Sequence, residues 1–255
     1  MIKKINFDKP FYKKLWFLAF PIAFQSFMLA AVGAADSIML GKLSQEAMSA
    51  VSLATQVQNV QNFFICALTS SGVILGAQYW GKGNREAVEK IFSIMLKMSS
   101  VVAIIFFAAC EIIPSSLMWL FTSDRQLIEI GVGYLKVAGW SYLITGISQC
   151  YLAVMKITDK AKTGTIISSI AVVLNIILNS FFIFGILIFP KLEAKGAALA
   201  TLIARVVELI LVFVLSSGKD CIKLNIKIFF TLLEALSSDS LEYSGNLSKE
   251  RLLTK

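Results

Sequence analysis

Asp36 lies inside a predominantly apolar stretch, Leu15 to Leu40, that is long enough to cross a membrane. A charge at that depth costs about 2.5–3.5 kcal/mol on insertion scales. Such residues are rare, face a bundle interior or a wet cavity, and often mark an ion pathway. Three further polar residues belong with it. Asn175 and Asn179 are four apart and share one face of a helix. Thr201 stands near the start of another apolar run, in Gly196-Ala-Ala-Leu-Ala-Thr201. A carboxylate, two amide oxygens and a hydroxyl suit a hard monovalent cation, because sodium takes oxygen ligands and transporters bind coupling ions near the bilayer midplane. The same set suits a proton, held on the carboxylate beside a neutral amide. The residues do not choose between Na⁺ and H⁺. Interhelical hydrogen bonding is the plain alternative for Asn175, Asn179 and Thr201. Asp36 is the strongest member of the set, since such bonding rarely needs a full charge.

Other polar residues within apolar runs carry less. Gln25, Gln56 and Asn59, with Gln61 and Asn62, suit either the lining of a substrate cavity or helix-to-helix bonding. Arg205 and Glu208 are three apart and are expected to pair. Lys97 and Lys136 are long enough to snorkel. Gly81-Lys82-Gly83-Asn84-Arg85 lacks the spacing of a phosphate-binding loop and reads as a turn. The chain has no His, and its four Cys form no CxxC pair. No catalytic centre, structural metal, cofactor or disulfide framework is expected, only a coupling ion.

The elements that must position these residues follow from composition. The chain is 57% hydrophobic and only 16% charged, against roughly 45–50% and 25% in soluble domains. This places it among integral membrane proteins. Its net charge of +8 collects at the ends of apolar runs, so it reads as a topology signal and lipid attraction rather than a nucleic-acid footprint. Six runs are long enough to span: Leu15–Leu40, Ala47–Tyr79, Val88–Ile113, Leu127–Met155, Thr163–Phe189 and Gly196–Ser217. Apolar spans of that length are helices. Pro21 removes a backbone donor from the first and is expected to kink it. Gly72 and Gly76, and the Gly131, Gly133, Gly139 and Gly146 series, allow close helix packing.

Lys and Arg fix the orientation. Lys3 to Lys14, Lys82 to Lys90, Lys156 to Lys162 and Lys219 to Lys227 fall on one side; Lys42, Arg125, Lys191 and Lys195 fall on the other. The first side is cytoplasmic by the positive-inside rule, which puts both termini inside, as expected for an inner (plasma) membrane protein. The division is then a cytoplasmic segment over 1–14, a six-helix lobe over 15–217, and a cytoplasmic linker and polar tail over 218–255. With that topology Asp36, Thr201 and Asn179 lie about 6, 7 and 14 Å from the outer ends of their spans. If the first, fifth and sixth spans meet, the four groups converge.

The ordered motifs now resemble a known family. Asp36-Ser-Ile-Met-Leu-Gly41 after a Pro-bearing helix, Gly76-Ala-Gln-Tyr-Trp-Gly-Lys-Gly83, the Asn175/Asn179 helix and Gly196-Ala-Ala-Leu-Ala-Thr201 resemble the multidrug and toxic compound extrusion (MATE) transporters, over roughly residues 11–230. The resemblance implies an all-α bundle of six transmembrane helices, equivalent to the N-terminal lobe of a twelve-helix, two-lobe antiporter. It implies cation-coupled export of drugs or other amphiphilic, often cationic compounds. It also implies a cation site at Asp36, Asn175, Asn179 and Thr201. Some members carry Asp at the second fifth-helix position; Asn179 here leaves one carboxylate. With one lobe in view, a truncated or frameshifted product is the first expectation, and a second lobe or another copy is needed to complete the cavity. Two further alternatives are a lipid-linked-oligosaccharide flippase of the same superfamily and a non-transporting remnant.

Overall fold

The computed structural model describes residues 9–158, 160–185 and 192–216. The N-terminal residues 1–8 and the tail beyond 216 lie outside it, as does the side chain of Gln25. Among the described residues seven helices follow one another: α1 (Lys9–Gly41), α2 (Gln45–Gly81), α3 (Arg85–Ile112), α4 (Pro114–Trp119), α5 (Arg125–Ile157), α6 (Ala161–Phe184) and α7 (Glu193–Ser216). No strand occurs among the described residues. Five of these helices, α2, α3, α5, α6 and α7, are long and apolar enough to cross a membrane. The sixth long helix, α1, has 33 residues, and its apolar part among the described residues is Ser26–Gly41. The chain is a multi-pass membrane protein. The described residues up to Leu215 fall in one compact unit.

Short polar turns separate the long helices, and side chains cap the helices that follow. Ser44 Oγ accepts from Ala47 N–H at 3.0 Å, opening α2. Asn84 Oδ1 accepts from Ala87 N–H at 3.0 Å, opening α3, after Gly83 turns the chain at φ 74°. Asp124 Oδ1 accepts from Gln126 N–H at 2.9 Å, opening α5. Each satisfies a donor that a helix start leaves free.

The span boundaries shift by one to six residues from the sequence reading, and two features have a clear local cause. The short helix α4 was not expected. Pro114 lacks a backbone donor and disfavours helix at the preceding residue, so α3 stops and the chain restarts with Pro114 at the first position of α4. The fifth span was expected to run to Phe189, but α6 ends at Phe184, where Gly185 takes a left-handed φ of 69°. Asn179 is therefore five residues from its helix end, about 8 Å rather than the roughly 14 Å expected. α1 runs as helix through Pro21.

The core is organised around α5. Tyr134, Leu135, Ala138 and Tyr142 of α5 pack with Val51, Ala54 and Val57 of α2, Cys110 of α3 and Met118 of α4. Ser99 Oγ of α3 donates to Gly146 O at 2.8 Å, and Gln61 Nε2 of α2 donates to Tyr142 O at 3.0 Å. Tyr151 meets Phe92 of α3 and Phe213 of α7 edge-on, with ring centroids 5.2 and 4.9 Å apart. The glycines permit this crowding: a Cβ on Gly146 would lie 3.0 Å from Ala103 Cβ, and one on Gly139 would lie 3.1 Å from Cys110 Cβ. Large apolar side chains such as Phe17, Phe20, Phe63, Ile74 and Val214 point outward. That is the arrangement of a bundle whose solvent is lipid, where small residues and polar bonds hold helices together.

Candidate functional site

Three helices bring the sequence-selected polar residues together. α1 carries Asp36 in a run of small residues, Gly33-Ala-Ala, with the Ser37 hydroxyl folded back on Gly33 O at 2.9 Å. α6 carries Asn175 and Asn179 one turn apart, and their amides bond directly: Asn179 Nδ2 donates to Asn175 Oδ1 at 3.1 Å. α7 carries Thr201, whose hydroxyl donates to Ala197 O at 3.0 Å, as a threonine in a helix often does. Asp36 is five residues from the end of α1, Asn179 five from the end of α6, and Thr201 eight from the start of α7. At 1.5 Å per residue these are roughly 8, 8 and 12 Å along the helices, so the groups lie within about 4 Å of one another by this count.

The approach of α7 to α6 is fixed at Gly196. A Cβ there would stand 2.6 Å from Phe182 O and 2.8 Å from its carbonyl carbon. The same Phe182 O accepts from Leu192 N–H at 3.0 Å, which ties the start of α7 to the last turn of α6. Only a residue without a side chain allows the two backbones this close. Thr201 lies five residues farther along α7 and faces Asn175 as a result.

The hydrogen bonds form one chain. Asn175 Nδ2 donates to Thr201 Oγ1 at 3.2 Å. Asn179 Nδ2 donates to Asp36 Oδ1 and to Asn175 Oδ1. Both donors of the Asn179 amide are thus used, one on a carboxylate, where the bond is charge-assisted. Asn179 is fully buried and its Oδ1 has no partner. An acceptor so placed costs free energy unless something meets it.

Asp36 opens onto a cleft of about 550 Å³ between α1, α2, α5 and α7, into which Thr201 and Arg205 also project. Its α2 wall carries a polar stripe, Ser52, Thr55, Asn59, Asn62, Cys66 and Thr69, spaced alternately three and four residues apart, beside the apolar Met48, Val51 and Ile65. Asn59 and Asn62 therefore line the cavity. Gln56 is exposed, is not among the lining residues, and accepts from Asn59 Nδ2 at 3.2 Å. Gln61 is fully buried against α5 and serves as a helix-to-helix bond, as noted above. The side chain of Gln25 lies outside the described residues. Arg205 and Glu208 do pair, with Nη1 2.8 Å from Oε2. Sequence reasoning missed the α2 stripe, although its spacing of three and four was legible.

A model of the MatE family matches residues 21–181, more than half of the chain. Among curated proteins, the chain is similar to the uncharacterized transporter YisQ of Bacillus subtilis, with 29% identity over 231 residues that make up 88% of this chain and 49% of that protein. It is similar to the probable multidrug resistance protein NorM of Thermotoga maritima, with 31% identity over 200 residues, 76% of this chain and 42% of that protein. Its fold resembles a crystal structure of the Vibrio cholerae MATE transporter VcmN in the bent form, with a TM-score of 0.73 at 20% identity, covering 92% of this chain and 56% of that one. The chain spans about half the length of the curated relatives it matches. By the family model and the ordered helices beneath it, the chain belongs to the multidrug and toxic compound extrusion (MATE) family.

Proposed function

We propose that this chain is the ion-binding lobe of a cation-coupled antiporter that exports drugs or other amphiphilic, often cationic compounds. The observation that carries the reading is the hydrogen-bonded chain Asp36–Asn179–Asn175–Thr201, buried at its two amides and half-buried at its ends, whose carboxylate lines a polar cleft. Its coupling ion is Na⁺ or H⁺. For Na⁺, Asp36 supplies the charge, and Asn179 turns its amide so that Oδ1 replaces Nδ2 beside the carboxylate. Asn175 Oδ1 and Thr201 Oγ1 complete an oxygen shell of the type hard cations take. For H⁺, the proton resides on Asp36 and is steadied by the same amides.

The polar α2 stripe faces the cleft and is costly against acyl chains. A second lobe, or another copy of this chain, covers it in the working transporter, and the substrate cavity forms between the two. The lobe sits in the plasma (inner) membrane with both termini on the cytoplasmic side, as its Lys and Arg distribution favours. The flippase alternative is not favoured: the cationic residues lining the cleft are Lys156 and Arg205, and Arg205 is already neutralised by Glu208.

The test is thermal stability of the purified chain in sodium against choline, and across pH. The expected result is stabilisation by Na⁺ or by protons that disappears in Asp36→Asn. An unchanged ion response in that variant refutes the site.

A further inference from the structure

Lys156 ends the fourth span, where the sequence makes it a topology signal; the structure gives it a second setting. It is half-buried in the last turn of α5 and lines the cleft. Among the described residues no carboxylate pairs with it and no side chain bonds it. An ammonium drawn partly out of water without a partner is costly, and an anion in the cleft removes that cost.

Two contacts fix what surrounds it. Gln61 Nε2 of α2 donates to Tyr142 O of α5, and a Cβ on Gly76 of α2 would stand 2.6 Å from Ile157 Cδ1 of α5. Each joins a residue of α2 to one 81 positions later in α5, so the two helices run parallel in a single register. In that register Gln149 is within about one residue of Thr69, and Lys156 lies about five residues, or ~7 Å, past Ser70. Helical side chains lean toward the helix start, which carries the Lys156 ammonium back toward Gln149 and Ser70. All three line the cleft. Gln149 has two amide donors and, among the described residues, no partner. The Ser70 hydroxyl meets the Cys66 sulfur at 3.8 Å, a weak partner. An ammonium, an amide and a hydroxyl thus gather at one end of the cleft.

The other charges of the cleft do not reach that end. Arg205 is held by Glu208 at 2.8 Å. Asp36 is the one carboxylate among the lining residues. It stands five residues before Gly41, whose added Cβ would lie 3.0 Å from Met48 Sδ, so Asp36 is level with about residue 53 of α2. That is roughly 25 Å from Ser70 along the helix, too far to pair with Lys156. The cleft is therefore polarised, with a carboxylate toward one end and unpartnered donors at the other.

We propose that the Lys156 end of the cleft is an anion subsite, in which Lys156, Gln149 and Ser70 bind the carboxylate or phosphate of an amphiphile whose apolar body lies along Ile65. The substrates of the cleft then include acidic and zwitterionic amphiphiles. A role in export rests on reading the cleft as the transport cavity; the binding does not.

The experiment is a fluorescence titration of the full chain in phosphatidylcholine nanodiscs, with empty discs subtracted, using dansyl-aminoundecanoate and its uncharged methyl ester. The wild type is expected to bind the acid at least about tenfold more tightly than the ester. Lys156→Gln should bring the two within about twofold, and Lys156→Arg should restore the preference, which a misfolded lobe would not. Lys162→Gln, which removes an exposed lysine at the start of α6, should leave the preference intact. Equal binding of acid and ester by the wild type overturns the subsite, as does a preference that survives Lys156→Gln or is lost equally in Lys162→Gln. Competition identifies the source of the anion. Displacement at lower concentration by dodecanoate supports a carboxylate substrate, displacement at lower concentration by lysophosphatidate supports a lipid headgroup, and displacement by neither overturns the proposal. Because binding is read without Na⁺, and Asp36→Asn should bind the acid as the wild type does, the subsite and the cation site fail separately.

Discussion

Gly196→Ala tests whether the Asp36–Thr201 chain is set by backbone approach or by the side chains alone. The added Cβ would stand 2.6 Å from Phe182 O, 2.8 Å from the carbonyl carbon and 3.0 Å from Phe182 Cβ. Relief requires about 0.8 Å or more of movement, because ordinary van der Waals contact begins at about 3.4 Å. The obstructing atoms are backbone, so no rotamer change provides it. α7 must back away from α6, straining the Leu192 N–H to Phe182 O bond of 3.0 Å. The Asn175 Nδ2 to Thr201 Oγ1 bond starts at 3.2 Å, and the same shift takes it past hydrogen-bond range. Overpacking of this kind costs about 1–3 kcal/mol, or roughly 2–10 °C in apparent melting temperature for a chain of this size. Gly164→Ala is the matched control: its Cβ would meet Leu152 Cδ2 at 3.4 Å, an ordinary contact. That variant should be neutral or gain up to about 1 kcal/mol from helix propensity. Equal melting temperatures for Gly196→Ala and wild type would refute the close-approach account, as would equal losses in the two alanine variants.

Four further outcomes are expected. Ser99→Ala should cost about 1 kcal/mol, read as a fall of roughly 2–4 °C, because its buried bond to Gly146 O at 2.8 Å is lost. Cys66 lines the polar cleft while Cys110 and Cys150 are buried, so in a Cys221→Ser background a hydrophilic maleimide should modify Cys66 at least about tenfold faster, by peptide mass mapping. Comparable rates at the three sites would contradict the cleft. If Na⁺ stabilises the chain through Asp36, the effect should weaken on acidification, because a proton on the carboxylate removes the charge that Na⁺ needs; a pH-independent sodium shift would place the ion elsewhere. Asn175→Ala should weaken any ion response as well as stability, since it interrupts the chain between Asn179 and Thr201.

How much of this was legible in the sequence depended on which physical signal each feature leaves. Long apolar runs announce helices because the bilayer permits little else, and the glycine-rich fourth span announced the central, crowded helix α5. Counting residues put Asp36 and Thr201 within about 1 Å of one level, but α7 starts at Glu193 rather than Gly196, which sets Thr201 about 12 Å from its helix start. α4 was not legible from hydropathy, because Pro114 divides a stretch that stays apolar on both sides. The end of α6 was misjudged for a related reason: Gly185 sits inside the apolar run Phe181–Phe189, and hydropathy does not register that its φ is positive. That error displaced the expected depth of Asn179 by about one turn, the difference between a residue below Asp36 and one beside it.

The α2 stripe shows what single-residue weighing misses. Taken one at a time, Gln56, Asn59, Gln61 and Asn62 are ambiguous, since any polar side chain in a membrane helix can bond a neighbouring helix. Taken by spacing, Ser52, Thr55, Asn59, Asn62, Cys66 and Thr69 fall on one face, while Gln56 and Gln61 fall off it. The structure separates them in the same way: the stripe lines the cleft, Gln61 is buried on α5, and Gln56 stands outside. A helix that merely needed a polar bond would place one such residue at a contact. A helix that repeats them over about 17 residues, or roughly 26 Å, presents a wettable wall along most of a bilayer. Asp36 lines that same cleft, so its charge borders a polar cavity. The intramembrane charge and the polar face are each costly alone; sharing one cavity, each adds to the polar surroundings the other requires.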